Sequence, residues 1–308
     1  MAQCCKFLGE SNTGLPATQR ILKSGSKLIY VPFIANDGTI NKILSTDTVD
    51  QAYLDAKISE EDPTKRWYPL PVLQNVLNER ADPSTESFDD GSNDILIQGV
   101  RTFSAIIKAV SNAYKSKLES LINCQRGGFF VVDACGDIYG ELEEDSSGLV
   151  FHQNLLPISI NQNSFEARVV TAGNTASGKI QLNFEFDQLV SDGNLRYLSG
   201  DSVTADFLRA EGLIDVDITA PSVSTTLAII AVTQNFDGFN ELTGIEGLVI
   251  ADFIVNNKTT GLSVALTTVT DLGNGGYSLL YPAQSASDEL EIKVLNSRFT
   301  GSQEVTIS

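Results

Sequence analysis

The stretch most suggestive of chemistry is Gly173-Asn174-Thr175-Ala176-Ser177-Gly178-Lys179, which matches a phosphate-binding loop as far as its lysine. A working loop of that kind needs Ser or Thr next, to hold magnesium, and it opens a helix whose N-terminus faces the phosphates. Here Ile180 follows, and from Lys179 onward polar and apolar residues alternate as in a strand. The segment therefore reads as a hairpin loop. Asp89, Asp90 and Asp94 lack the spacing of a calcium loop and read as a turn. The single histidine, His152, has no seryl or cysteinyl nucleophile in a recognisable elbow and reads as a strand residue. Glu141, Glu143, Glu144 and Asp145 bring carboxylates together that could do acid–base work, but without a predicted pocket they read as a solvated acidic edge.

The four cysteines, Cys4, Cys5, Cys124 and Cys135, form no Cys-x-x-Cys pair and have no histidine at ligand spacing. They are expected to be free thiols in a reducing compartment, although Cys124 and Cys135 flank a helix-to-hairpin junction across which they could approach. No catalytic constellation is complete. The sequence thus predicts no enzyme, no cofactor and no bound metal.

The elements that position these residues are mostly strands. Only one region shifts its apolar period towards 3.6: Phe103, Ile106, Ile107, Val110, Tyr114 and Leu118 recur at spacings of three and four, predicting one long helix from about Thr102 or Ser104 to the glycines at 127 and 128. A hairpin follows, in which Phe129 to Ala134 and Ile138 to Leu142 flank a Cys135-Gly136-Asp137 turn. Upstream, Leu28 to Ile34 reads as a strand, Thr46 to Ile58 as a short helix, Trp67 to Asp94 as an extended arm turning at Phe88-Asp89-Asp90-Gly91, and Ile95 to Val100 as a strand entering the helix. Downstream, short strands bounded by Asn, Gly or Ser suggest a sandwich or barrel. Two strands alternate cleanly: Gln181, Asn183, Glu185 and Asp187 oppose Leu182, Phe184 and Phe186, and Asp137, Tyr139, Glu141 and Glu143 oppose Ile138 and Leu142. Both are expected to show water an acidic face.

From Ile214 the texture changes, with more Thr and Val, and Ala220-Pro221 opens a module of the size usual for an immunoglobulin-like sandwich. Two domains are expected, 1–215 and 216–308. The fold class is mainly β: a sandwich or barrel with one packed helix, then an immunoglobulin-like sandwich. Of 308 residues, 42% are hydrophobic and 19% charged, an ordinary globular mixture. Thirty-nine acidic against 21 basic residues give a net charge of -18, which argues against gripping phosphate backbones through Lys and Arg. It suits a wall past which DNA slides without being held. No secretory signal and no membrane span is expected.

From about Leu28 to Asp187 the order of parts resembles the tail tube proteins of long-tailed bacteriophages: early strands, the Trp67–Asp94 arm, the helix, the hairpin, and closing strands such as KIQLNFEFD. Gly261 to Ala283, GLSVALTTVTDLGNGGYSLLYPA, is similar to immunoglobulin-like modules appended to virion proteins. The N-terminal part is large for that family, and the resemblance assigns no fold to Thr13 to Ser59 as a whole. The resemblance implies hexameric rings stacked into a hollow tube, made in the host cytoplasm and carried in the virion. It further implies contacts with other tail proteins, and DNA passing without specific binding. The lumen would be lined by Asp137, Tyr139, Glu141, Glu143, Gln181, Asn183, Glu185 and Asp187. The appended module would project outward, with cell-surface glycans as its candidate ligands. The rival expectation is a capsid-decoration or surface-adhesion protein in which no tube forms.

Overall fold

The computed structural model describes residues 25–108, 111–124, 126–145, 152–173, 177–235 and 242–308. Cys4, Cys5 and the loop residues Asn174, Thr175 and Ala176 lie outside them. The protein is mainly β, and it divides into two compact units between Glu211 and Gly212.

The N-terminal unit contains, in order, β1 (Gly25–Pro32), α1 (Gln51–Ile58), β2 (Tyr68–Pro69), β3 (Leu73–Arg80), β4 (Ser84–Ser87), β5 (Asn93–Ile97), β6 (Arg101–Lys108), α2 (Asn112–Cys124), β7 (Gly127–Asp133), β8 (Ile138–Asp145), β9 (His152–Leu156), β10 (Ile158–Val170), β11 (Lys179–Phe186) and β12 (Leu195–Leu198). β1 and β7 form the centre, paired antiparallel along their length. Their runs Leu28-Ile29-Tyr30-Val31 and Phe129-Phe130-Val131-Val132 are apolar at consecutive positions, the mark of strands buried on both faces. On one face Tyr30 and Phe129 join the main core with Phe184. On the other, Phe130 packs on Trp67, itself against Tyr53 and Phe207, beside the buried Leu54 and Ile58 of α1.

One side of β7 hands on to β10 through Phe129 and to β8 through Val131. β10 is a single long strand whose register shifts between Asn161 and Glu166, and it carries the sheet onto β11, β6 and β3. Lys179 opens β11 opposite Val170, so a strand and not a helix follows the loop that resembles a phosphate cradle. In β11 Ile180, Leu182, Phe184 and Phe186 are buried while Gln181, Asn183 and Glu185 are half-buried.

The long helix expected from Thr102 is corrected. Residues 101–108 are strand β6, bonded to β11 and β3, with Phe103, Ala105 and Ile107 buried and Thr102 and Lys108 exposed. The helix α2 starts only at Asn112, where the Ser111 hydroxyl accepts from the Tyr114 amide at 3.1 Å, satisfying a free first-turn N–H. Counting Ile106 with Ile107 gave a helical spacing to what is a two-residue alternation. Leu118 and Ile122 of α2 enter the core.

The C-terminal unit contains β13 (Ile214–Asp215), β14 (Asp217–Val223), β15 (Leu227–Asn235), β16 (Leu242–Gly244), β17 (Phe253–Asn257), β18 (Leu262–Ser263), β19 (Thr268–Gly273), β20 (Gly276–Leu280), β21 (Glu289–Leu295) and β22 (Phe299–Thr306). One sheet runs β13-β22-β21-β17-β18 and the other β14-β15-β20-β19, with β16 on β15. The two share one core, to which alternate residues contribute: Ala228, Ile230 and Val232 from β15, Leu290, Ile292 and Val294 from β21. Tyr277 is wholly buried, and its hydroxyl donates to the Ile245 carbonyl at 2.7 Å and accepts from the Leu248 amide at 3.1 Å. The β19–β20 turn places Gly273, Asn274 and Gly275 at φ of 82°, 52° and 77°, the left-handed region in which glycine is unstrained.

Candidate functional site: an acidic strand face and a projecting hairpin

The eight residues expected on acidic faces do not behave alike. Gln181, Asn183 and Glu185 alternate on the partly exposed side of β11, with Asp187 just beyond its end. The Asp187 amide donates to the Ser159 carbonyl at 2.9 Å, and the Glu185 amide to the Ser164 hydroxyl at 2.8 Å, which fix this end of the strand against β10. Glu141, on β8, is near enough to Asp187 to feel its charge: burial first, and then Asp187, pushes the Glu141 carboxyl above the usual carboxylate range. Two carboxylates, one on β8 and one just past the end of β11, therefore crowd one patch. Beside it a shallow cleft of about 380 Å3 is lined by Arg126, Asn161, Gln162, Glu185, Asp187 and Gln188 among others. Its described lining holds no serine, cysteine or histidine, so nothing in it pairs a nucleophile with a base.

Asp137 and Tyr139 are each only 2% exposed, which corrects their assignment to a water-facing surface. The hairpin turn explains why. Asp133, wholly buried, accepts through Oδ1 from the Cys135 amide at 2.7 Å and the Asp137 amide at 3.0 Å. Asp137 in turn accepts from the Gly200 amide at 2.9 Å, pinning the segment after β12 across the turn. Tyr139 belongs to the main core, its ring 5.9 Å from that of Tyr197, its cross-strand partner on β12. These side chains belong to the fold. Glu143 is also engaged: Lys42 Nζ lies 2.5 Å from it and the Asn154 amide donates to it at 3.0 Å. Cys135 is disulfide-bonded, correcting the expectation of free thiols; which sulfurs meet is set by the tertiary fold, which cysteine spacing does not encode.

A second feature has no partner surface within its unit. Beyond Arg80 the β3–β6 hairpin continues as β4 and β5, which pair only with each other and turn at Phe88–Ser92. Every residue from 81 to 98 is exposed. The sequence signals an arm here but not its apolar load, because Ile95-Leu96-Ile97 reads as a strand entering the protein. Those three side chains are 58 to 60% exposed and Phe88 is 44% exposed.

Among the described residues no cluster of His, Cys, Asp and Glu could hold a metal ion, and no helix is long and apolar enough to cross a membrane. The chain matches no protein-family model and no curated protein.

Proposed function

We propose that the chain is a structural virion protein, not an enzyme, whose N-terminal unit assembles into stacked hexameric rings of a phage tail tube through which DNA passes. The observation that carries this reading is the exposed apolar hairpin. A two-stranded ribbon alone in water is marginal, and Phe88 and Ile95 to Ile97 have no core of their own to enter. Covering the exposed part of each of these side chains in a neighbouring copy is worth about 1–1.5 kcal/mol. Ring symmetry repeats that gain at every subunit. The lumen would then be the β11 face, Gln181, Asn183, Glu185 and Asp187, joined by Glu141; Asp137 and Tyr139 drop out because they are buried.

The C-terminal unit fits an appended immunoglobulin-like domain. Such a sandwich places its first, second, fifth and fourth strands in one sheet and its third, sixth and seventh in the other. β14-β15-β20-β19 and β17-β21-β22 follow that order, with β18 as the added edge strand. A second reading, capsid decoration or adhesion to cell-surface glycans, draws on the outward residues of the first sheet. Thr219, Ile229, Ala231, Ser278, Leu280 and Thr270 carry no charge, and Ile229 and Leu280 are exposed.

Negative-stain microscopy of the full chain separates the two. Rings or tubes are expected from the wild type and dispersed particles from an Ile95→Ser, Leu96→Ser, Ile97→Ser variant that remains folded. A wild type that stays dispersed at high concentration removes the tube reading and favours decoration.

A further inference from the structure

We infer that Asp192 is a positioning residue: it latches shut the root of the projecting hairpin by bridging two arginines that face each other across it. Arg80 on β3 and Arg101 on β6 are direct cross-strand partners. Like charges in that position repel and open an antiparallel pair. Asp192, from the loop between β11 and β12, supplies the counter-charge to both. Arg80 grips it in a bidentate manner, Nε to Oδ2 at 3.1 Å and Nη2 to Oδ1 at 2.9 Å, and Arg101 reaches Oδ1 through Nη2 at 2.8 Å and Nε at 3.3 Å.

The rest of each guanidinium ties down the same neck. Arg80 also donates to the carbonyls of Gly99 at 2.7 Å and Val190 at 2.9 Å, and Arg101 donates to Asn78 Oδ1 at 3.0 Å. The two arginine side chains are only 21% and 14% exposed while Asp192 is 50% exposed, so water screens the bridge from the carboxylate side only. The Arg80 hydrogen bond in particular holds the Asp192 carboxyl below the usual carboxylate range, as a carboxylate engaged in its charged form should be. At the same level the strands are pinched: a Cβ on Gly99 would lie 1.8 Å from the Ala81 carbonyl oxygen, so only glycine fits at this point of the neck. Past this neck, among the described residues, every hydrogen bond recorded for residues 81–98 runs within the hairpin itself. Whatever holds the arm against the unit therefore acts at its root.

For assembly the consequence is that the latch presents the apolar arm in one orientation before a neighbour arrives, which lowers the ordering cost of association. That consequence rests on the tube reading, whereas the latch itself does not.

The test is hydrogen exchange of the β3 and β6 amides nearest the neck, Leu77 to Arg80 and Arg101 to Ser104, in dilute, unassembled full-length chain. In Asp192→Asn these amides should exchange at least tenfold faster than in wild type, with β7 unchanged. Adding Arg101→Gln removes one of the two facing charges, so the double variant should exchange more slowly than Asp192→Asn alone; mere loss of contacts would make it faster. Raising NaCl from roughly 0.05 to 1 M shortens the screening length several-fold. It should speed exchange in wild type, where the contact is attractive, and slow it in Asp192→Asn, where repulsion remains. Neck exchange in Asp192→Asn within twofold of wild type, or a double variant faster than the single one, overturns the latch. Fast neck exchange in a chain whose wild type never assembles leaves the latch standing and refutes the tube reading instead.

Discussion

Replacing Glu143 by Lys should damage the N-terminal unit, while the same change at Glu185 should be tolerated, although both residues sit on alternating acidic strands. The side chains of Lys42 and Glu143 are 24% and 27% exposed, so their pair is worth up to about 1 kcal/mol. Glu143 also accepts from Asn154, which is buried, and stranding that amide costs about 1–3 kcal/mol. A lysine would further set two ammonium groups against each other, giving a total of roughly 2–4 kcal/mol. Trp67 is the only tryptophan and lies buried among Phe130, Tyr53 and Phe207, so its fluorescence follows this unit alone. With a urea dependence of about 2 kcal/mol per molar, the Glu143→Lys midpoint should fall by roughly 1–2 M. Glu185→Lys should shift stability by no more than about 0.5 kcal/mol. The charge swap Lys42→Glu with Glu143→Lys should recover most of the loss. Equal midpoints for Glu143→Lys and Glu185→Lys would refute the claim that the fold depends on one carboxylate and not on the other.

Glu141 gives a pH-dependent counterpart. Its pKa is raised on folding, by burial and then by Asp187, so the stability linked to its proton is present below the ordinary carboxylate range and lost as pH rises through the folded value. Glu141→Gln should therefore raise the urea midpoint at neutral pH and leave it unchanged in acid; a loss at neutral pH would show that the charged form is favoured. Phe184 stands 4.9 Å from both Phe103 and Phe129, ring centre to ring centre, at the meeting of β6, β7 and β11. Phe184→Ala should cost about 3–5 kcal/mol in the same Trp67 assay.

Where the sequence alternates strictly, it is a good guide to the fold: KIQLNFEF becomes β11 with its faces sorted as its pattern requires, and GYSLL becomes β20 behind a glycine turn. It misleads where two periods overlap. Phe103, Ile106 and Ile107 satisfy helical spacing, yet the hydrogen bonds offered by β3 and β11 on either side decide for a strand. The same alternation cannot say what lies over a strand's second face. Asp137 and Tyr139 sit in an alternating pattern like that of Glu185, but the Gly200 amide engages Asp137 and Tyr139 belongs to the main core. The Asp192 bridge left no local signal, since Asp192 lies 112 residues from Arg80 and 91 from Arg101 along the chain.

The way the chain uses its few cations bears on the proposed role. Lys27, although buried, donates to the carbonyls of Leu208 and Ala210; Arg66 donates to those of Glu60 and Glu61; and Arg80 donates to those of Gly99 and Val190. Burial lowers the Lys27 pKa, so this tie is kept against a desolvation cost. With Lys42 and Arg101 held by carboxylates, five of the 21 basic residues serve as internal ties, and they are not placed to meet a polymer. Affinity for nucleic acid comes chiefly from Lys and Arg that neutralise phosphates and release counterions. On the proposed reading, the net charge of -18, with Glu185 and Asp187 beside Arg126 at an open cleft, suits a wall that repels phosphates more than it grips them.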